Sequence, residues 1–204
     1  MGTIHLIRHG QASFGAADYD QLSELGQQQA ALLGSWLART GQAVDRIALG
    51  AMQRHRQTAE AFSEALGPDS ASREAWWVDP DFNEFNHEEV LHRFRPELRH
   101  PGALGAFLAA QEQPPRAFQA LFAQAVARWM PGDYDAEYRE SWRVFQTRCE
   151  RALGRLIEHC GDSKTVCVFT SGGPISAICQ GLLGIPDARA FDLNWTLLNT
   201  GVTK

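Results

Sequence analysis

The sequence predicts an α/β fold: a three-layer sandwich with a mostly parallel central sheet, helices on both faces and a helical insertion near one edge. Three observations predict it. Short apolar runs bounded by turn residues alternate with stretches of helical periodicity, the pattern of a parallel sheet wound between helices. The alternation is interrupted over about 86–138, where Pro96, Pro101, Pro114, Pro115 and Pro131 separate short helical patterns. The chain has 204 residues, enough to bury one core without disulfides or metals. One domain over 1–204, carrying that insertion, is expected rather than two.

The first strand is Thr3 to Ile7, an apolar run almost at the N-terminus. A loop through Phe14, Asp18 and Asp20 follows. Ser23 is a suitable N-cap for a helix to about Arg39. Leu25, Leu32, Leu33, Trp36 and Leu37 are expected to form its buried face, and Thr40-Gly41 closes it. Val44 to Leu49 reads as a second strand. Met52 to Leu66 reads as a second helix, with Met52, Ala59, Phe62 and Leu66 on one face and Gly67-Pro68 as its stop. Trp76-Trp77-Val78 reads as a third strand. Within the insertion, Phe118 to Trp129 has helical spacing. Glu140 to His159 predicts a long helix with the stripe Trp142, Phe145, Cys149, Leu153 and Leu156. Thr165 to Thr170 is the most apolar strand. Pro174 falls in the first turn of another helix, ending near Gly184 and Pro186. Trp195 to Leu198 is expected to be the last strand, close enough to Lys204 that the natural chain is free to continue.

Composition excludes some classes of function. A net charge of -5 argues against a general nucleic-acid binder but leaves room for a local anion pocket. Cys149, Cys160, Cys167 and Cys179 contain no C-x-x-C pair and show no metal-ligand spacing with histidine. They fit buried thiols in a reduced, cytoplasmic protein. No apolar run is long enough to span a membrane, and no leader is expected before the first strand. Met1-Gly2 begins like a myristoylation signal, but Leu6 stands where Ser or Thr is required.

The chemistry lies at the strand ends. Arg8, His9 and Gly10 follow the first strand. Arg brings a charged fork matched to phosphate oxygens, and His an imidazole that is nucleophilic when neutral. Gly10 is expected to let an oxyanion approach the backbone. The second strand leads into Gly50-Ala51-Met52-Gln53-Arg54, and the third into Asp79, Asp81 and Glu84. Ser171-Gly172-Gly173 follows the Thr165 strand at a helix start, an anion cradle. Parallel strands would bring all four ends to one edge, where ligands of open α/β sheets bind. Two guanidiniums, an imidazole and a carboxylate suit phosphoryl transfer without a metal or other cofactor.

These residues carry a resemblance. Leu6-Ile7-Arg8-His9-Gly10-Gln11-Ala12, Leu22-Ser23-Glu24-Leu25-Gly26 with Gln29-Ala30, Met52-Gln53-Arg54 with Gln57-Thr58-Ala59, Phe82-Asn83-Glu84, and Glu140-Ser141 with Phe145 and Arg148 follow in order. Together they resemble the histidine phosphatase superfamily, the phosphoglycerate-mutase-like fold, over nearly the whole chain. The resemblance implies His9 as the nucleophile that forms a phosphohistidine. It implies Arg8 and Arg54 as phosphate ligands, assisted by Gly172, and Glu84 as the acid that protonates the leaving alkoxide. Two departures stand out. Gly50-Ala51 replaces a common Ser-Pro, and Ser171 stands where the family usually has a second catalytic histidine. A hydroxyl carries no positive charge, so slow turnover is expected, and an imidazole restored at 171 is expected to raise kcat about tenfold or more.

Alternatives stay open for several residues. Arg54 could itself be a surface helix arginine like Arg56. Glu88 or Glu89 could take the role of Glu84. His87, three residues after Glu84, could replace the missing imidazole, although a surface position is the preferred reading. His92, Arg93, Arg95, Arg99 and His100 read as a solvated face, or more sharply as a lid attracting an anion. Phe14, Trp76, Trp77, Phe82 and Phe85 are core candidates and, alternatively, walls of a leaving-group pocket. The expected function is a metal-independent phosphomonoesterase. Its partner is a small phosphomonoester or inorganic phosphate, with no nucleic acid and no membrane. The rivals are a phospholigand-binding pseudoenzyme, through the loss at Ser171, and a phosphoglycerate-type mutase. Oligomeric state and substrate identity are not legible.

Overall fold

The computed structural model describes residues 2–13, 20–67, 70–163 and 165–204. The loop residues Phe14 and Asp18 and the stop residue Pro68 lie outside them. Among the described residues the chain forms a five-stranded sheet of β1 (Thr3–Arg8), β2 (Arg46–Leu49), β3 (Trp77–Val78), β4 (Thr165–Thr170) and β5 (Val202–Thr203). The order is β3-β2-β4-β1-β5. Every pairing is parallel except β5, which runs antiparallel to β1 through Leu6↔Thr203 and Ile7↔Val202.

Both sheet faces are covered, as the side-chain alternation of strands requires. Ile7, Ile47, Leu49, Cys167 and Phe169 pack on one side with Leu37, Phe62 and Leu66. These helix residues belong to α1 (Glu24–Arg39) and α2 (Gln53–Leu66). Leu6, Ala48, Val166 and Val168 face the other way, onto Phe145, Ala152, Leu156, Ile175 and Ile178. Between α2 and that second layer the chain forms α3 (His87–Phe94), α4 (Ala103–Ala109) and α5 (Pro114–Trp129). Pro114 and Pro115 occupy the first turn of α5, so this helix begins earlier than its apolar spacing alone indicates. The second layer is built from α6 (Trp142–Cys160) and α7 (Gly172–Leu183), followed by α8 (Asp187–Thr196).

Two expectations are corrected. The buried residues of α1 are Gly26, Ala30, Gly34 and Leu37, whereas Leu25, Leu32 and Trp36 are 48%, 66% and 47% exposed. The reason is a close helix contact: a Cβ on Gly34 would lie 2.2 Å from the Phe62 carbonyl oxygen of α2. Small residues must face that neighbour, so the larger apolar side chains turn outward. The second correction concerns Trp195–Leu198. Trp195 and Thr196 end α8 instead, and the last strand comes later, after a turn at Thr200 with φ 56°. That turn sends the chain back along β1, where Thr200 N–H donates to the Arg8 carbonyl at 2.9 Å.

The cysteines are free thiols: Cys149, Cys160 and Cys167 are buried and Cys179 half-buried. Burial pushes the Cys167 thiol up to about 12. Among the described residues no helix is long and apolar enough to cross a membrane.

Candidate active site

The carboxyl ends of β1, β2 and β4 deliver their loops to one edge of the sheet. A compartment of ≈ 180 Å³ opens there, with Arg8, His9, Arg54, Glu84 and His87 on its wall. Among the described residues Phe85, Phe118, Phe122, Asn194 and Trp195 also line it.

His9 is held by three hydrogen bonds. Its N–H donates to the Thr170 carbonyl of β4 at 2.8 Å, and the Asn199 side-chain amide donates to its carbonyl at 3.0 Å. Its Nδ1 lies 2.6 Å from the Gly10 carbonyl, so that nitrogen carries the proton and Nε2 keeps a free lone pair. Burial, then the Arg54 guanidinium, hold its pKa down to about 3, against the pull of the Gly10 carbonyl; Arg8 adds to the depression. The imidazole is therefore neutral across the ordinary pH range.

Gly10 has a different role from the one expected. Its open side is filled by the backbone of Gly26: a Cβ on Gly10 would lie 2.3 Å from the Gly26 carbonyl oxygen. The Gly10 N–H also donates to Thr58 Oγ1 at 3.1 Å, and that hydroxyl donates to the Arg54 carbonyl at 2.6 Å. The His9 loop is thereby tied to α1 and α2. Gly10→Ala is expected to cost about 1–3 kcal/mol by overpacking, a fall in Tm of roughly 2–12 °C for a chain of this size. Thermal unfolding followed by circular dichroism checks it.

Arg54 is buried in the first turn of α2 and pairs with Asp20, Nη1 to Oδ1, at 2.7 Å. Arg8 donates from Nη1 to the Leu197 carbonyl. Glu84 is half-buried. Its Oε2 accepts from Gly173 N–H at 3.1 Å and its Oε1 from Phe85 N–H at 3.2 Å. Gly173 must lack a side chain, since a Cβ there would lie 2.0 Å from Glu84 Oε1. Burial raises the Glu84 pKa in spite of Gly173 N–H, Arg54, Phe85 N–H and Arg8, which all favour the carboxylate.

The loop carrying Glu84 is braced from below. Arg148 of α6 donates from Nη1 to the Asp81 and Asn83 carbonyls, both at 2.8 Å, and pairs with Glu140. Asn83 Oδ1 accepts from Ala51 N–H at 2.6 Å. Asp79 and Asp81, the other carboxylates after β3, pair with Arg155 instead and stay off the compartment wall. Glu89 pairs with Arg93, and Glu88 is exposed. His87, expected on the surface, is half-buried and stands on the wall.

Ser171 and Gly172 do not line the compartment with the other expected residues. Gly172 packs against Asn194 and Arg8: a Cβ there would lie 2.2 Å from Asn194 Oδ1 and 3.8 Å from Arg8 Nε. Ser171 is fully buried, and its Oγ lies 2.8 Å from His55 Nε2. His55 is itself fully buried beside His9, with ring centroids 5.9 Å apart. Burial first, then His9 and Arg54, keep its pKa well below the usual range, while the Gly50 carbonyl pulls the other way. A Cβ on Gly50 would fall 2.3 Å from His55 Nδ1, so the His55 ring fits only because residue 50 is glycine.

The family model of the histidine phosphatase superfamily (branch 1) matches residues 4–204. The chain belongs to the histidine phosphatase superfamily. A comparison with curated proteins finds no match. Solved structures share the fold at low identity. Bacillus stearothermophilus YhfR has a TM-score of 0.63 at 19% identity, covering 100% of this chain and 90% of its own. A phosphoserine phosphatase variant from Entamoeba histolytica, in complex with phosphoserine, has a TM-score of 0.63 at 18% identity, covering 100% and 89%. A mycobacterial glucosyl-3-phosphoglycerate phosphatase has a TM-score of 0.56 at 21% identity, covering 92% and 82%.

Within this histidine phosphatase superfamily member, several residues of the edge carry no sequence signal. Asn194 and Trp195 reach the wall from α8, and His55 reaches Ser171 from 116 positions away. Their placement is decided by packing between distant elements. Among the described residues no three His, Cys, Asp or Glu side chains gather to hold a metal ion.

Proposed function

We propose that this chain hydrolyses small phosphomonoesters without a metal, through a phosphohistidine on His9. The observation that supports this most is a neutral imidazole with a free Nε2, set beside two guanidiniums and a carboxyl group of raised pKa in one small compartment. Nε2 attacks phosphorus in line, and the bond to the alcohol oxygen breaks. Glu84 gives its proton to that leaving oxygen. Arg8 and Arg54 hold the three peripheral oxygens and their spreading charge. Water then attacks the phosphohistidine, Glu84 takes its proton, and the P–N bond breaks to return the imidazole. The four cysteines, free as thiols, suit work in a reducing, cytoplasmic compartment.

Trapping tests the intermediate. Incubation with a ³²P-labelled ester and an alkaline quench should leave label on His9, because phosphohistidine survives base. No label under conditions of turnover would overturn the covalent route. A second reading, a phospholigand binder without turnover, draws on Ser171; it predicts phosphate affinity with no release of alcohol from any ester.

The pH dependence follows from the two titrating groups. His9, held to about 3, is already neutral above that pH and adds no acid limb near neutrality. Glu84 must be protonated to act as acid. Its raised pKa keeps that form to higher pH, and activity falls as pH rises through it. Glu84→Gln is expected to lower kcat on an alkyl phosphate about 10²–10⁴-fold. It should also abolish that alkaline limb. The remaining pH dependence belongs to the ester, and full pH–rate profiles of both proteins separate the two.

A further inference from the structure

A second cavity adjoins the compartment beside His9. His87, Phe118 and Phe122 stand on the walls of both. The second space, ≈ 400 Å³, lies among α3, α4 and α5. The first, at ≈ 180 Å³, is smaller than the roughly 300–1,000 Å³ of pockets that bury a small molecule. It has room for a phosphoryl group and the first atoms of an alcohol. The body of a larger leaving group extends beyond it, and the second space is the neighbouring cavity that shares His87, Phe118 and Phe122 with it.

That space has a definite chemistry. Leu91 and Leu98 are buried on its wall. Phe118 and Phe122, one turn apart on α5, have ring centroids 5.9 Å apart and planes 12° apart, so aromatic side chains form the apolar wall shared by the two cavities. Arg99 and His100 are exposed and form its solvent side, with His92 half-buried beside them. Glu88 is the carboxylate on this wall. The basic cluster of the sequence is thus divided. Arg93 and Arg95 are occupied by Glu89 and Glu97, whereas Arg99 has no carboxylate partner among the described residues.

Resting on the phosphatase reading above, we propose that this second cavity is the leaving-group site. The substrate class it selects is the phosphomonoester of a flat, apolar alcohol that carries a second anionic group at its far end. The phosphoryl group sits with Arg8 and Arg54, the ring against Leu91, Leu98 and Phe122, and the distal carboxylate meets Arg99. An ester of a small polar alcohol, such as phosphoserine, leaves this cavity unfilled.

Steady-state kinetics on the full chain test it with phenyl phosphate, 2-naphthyl phosphate, 6-carboxy-2-naphthyl phosphate and phosphoserine. The carboxynaphthyl ester is expected to exceed phenyl phosphate in kcat/KM by about tenfold or more, the scale at which apolar pockets discriminate. Arg99→Ala should lower kcat/KM for that ester about two- to fivefold, as an exposed ion pair allows, and leave 2-naphthyl phosphate unchanged. Gly105→Leu on α4 adds bulk at the cavity wall, where a Cβ meets nothing within 4 Å; an unchanged melting temperature confirms that the variant keeps its fold. It should lower kcat/KM for both naphthyl esters about tenfold and leave phenyl phosphate within about twofold. If phenyl phosphate is turned over but the naphthyl esters gain nothing, and Gly105→Leu changes none of them, the subsite is overturned and the phosphatase reading stands. Turnover of none of the four defeats the phosphatase reading and the subsite with it.

Discussion

His9→Ala is expected to remove turnover of phenyl phosphate, by about 10⁴-fold or more, the scale of losing a nucleophile that acts with its partners as a unit. The same variant should stay folded. The imidazole makes one side-chain hydrogen bond, to the adjacent Gly10 carbonyl, and borders an open compartment. The backbone bonds that anchor residue 9, to Thr170 and from Asn199, do not involve the ring. Arg8 and Arg54 remain, so affinity for inorganic phosphate should change by less than about tenfold while kcat collapses. That split is what separates a nucleophile from a ligand-binding residue. Calorimetric titration with phosphate and initial rates on one ester measure both halves. Retention of most activity in His9→Ala would remove the phosphohistidine mechanism, whatever the superfamily does elsewhere. Phosphate binding in the parent protein without any turnover would favour the binder instead.

Residues that act through the local chain were legible from the sequence; residues that act across it were not. β4 coincides with the apolar run Thr165–Thr170, and Ser23 caps α1 by accepting from Gly26 N–H at 3.1 Å. Both depend on neighbours a few positions away. The meeting of Arg8, His9, Arg54 and Glu84 on one wall was legible for a topological reason: parallel strands send their carboxyl ends to the same edge. The buried face of α1 is not legible from apolar periodicity, which does not reveal how closely a neighbouring helix approaches; Gly34 against Phe62 decides it. Motif position suggests an oxyanion beside Gly10, but its bare side is filled by Gly26, a contact between distant segments. Short apolar runs such as that at Trp195 do not distinguish strand from helix, and Pro186 before Asp187 starts a helix there.

The same non-local packing changes what Ser171→His should do. From the sequence, the substitution restores a cationic donor and raises kcat. In the structure, the space next to Ser171 belongs to His55: both residues are fully buried, and their side chains are 2.8 Å apart. An imidazole added at 171 competes with the ring already there. Overpacking of this kind costs about 1–3 kcal/mol, so the single variant is expected to melt earlier and gain no turnover. His55→Ala alone leaves a buried hydroxyl without its partner, a cost of about 1–3 kcal/mol. The two changes together relieve each other. The ring at 171 takes the volume that His55 gives up, close to His9, since the His55 centroid is 5.9 Å from that of His9. His55→Ala/Ser171→His is therefore expected to recover most of the lost stability and to raise kcat about tenfold or more over the parent, with a smaller change in KM. The stability of the pair should depart strongly from additivity, as contacting residues do. Melting curves and steady-state rates for the four proteins of this cycle decide the matter. A gain in kcat from Ser171→His alone, with no loss in Tm, would show that His55 is no obstacle. A folded double variant with no gain would show that the missing imidazole does not limit the rate, and that Arg8, Arg54 and Glu84 suffice for the chemistry this site performs.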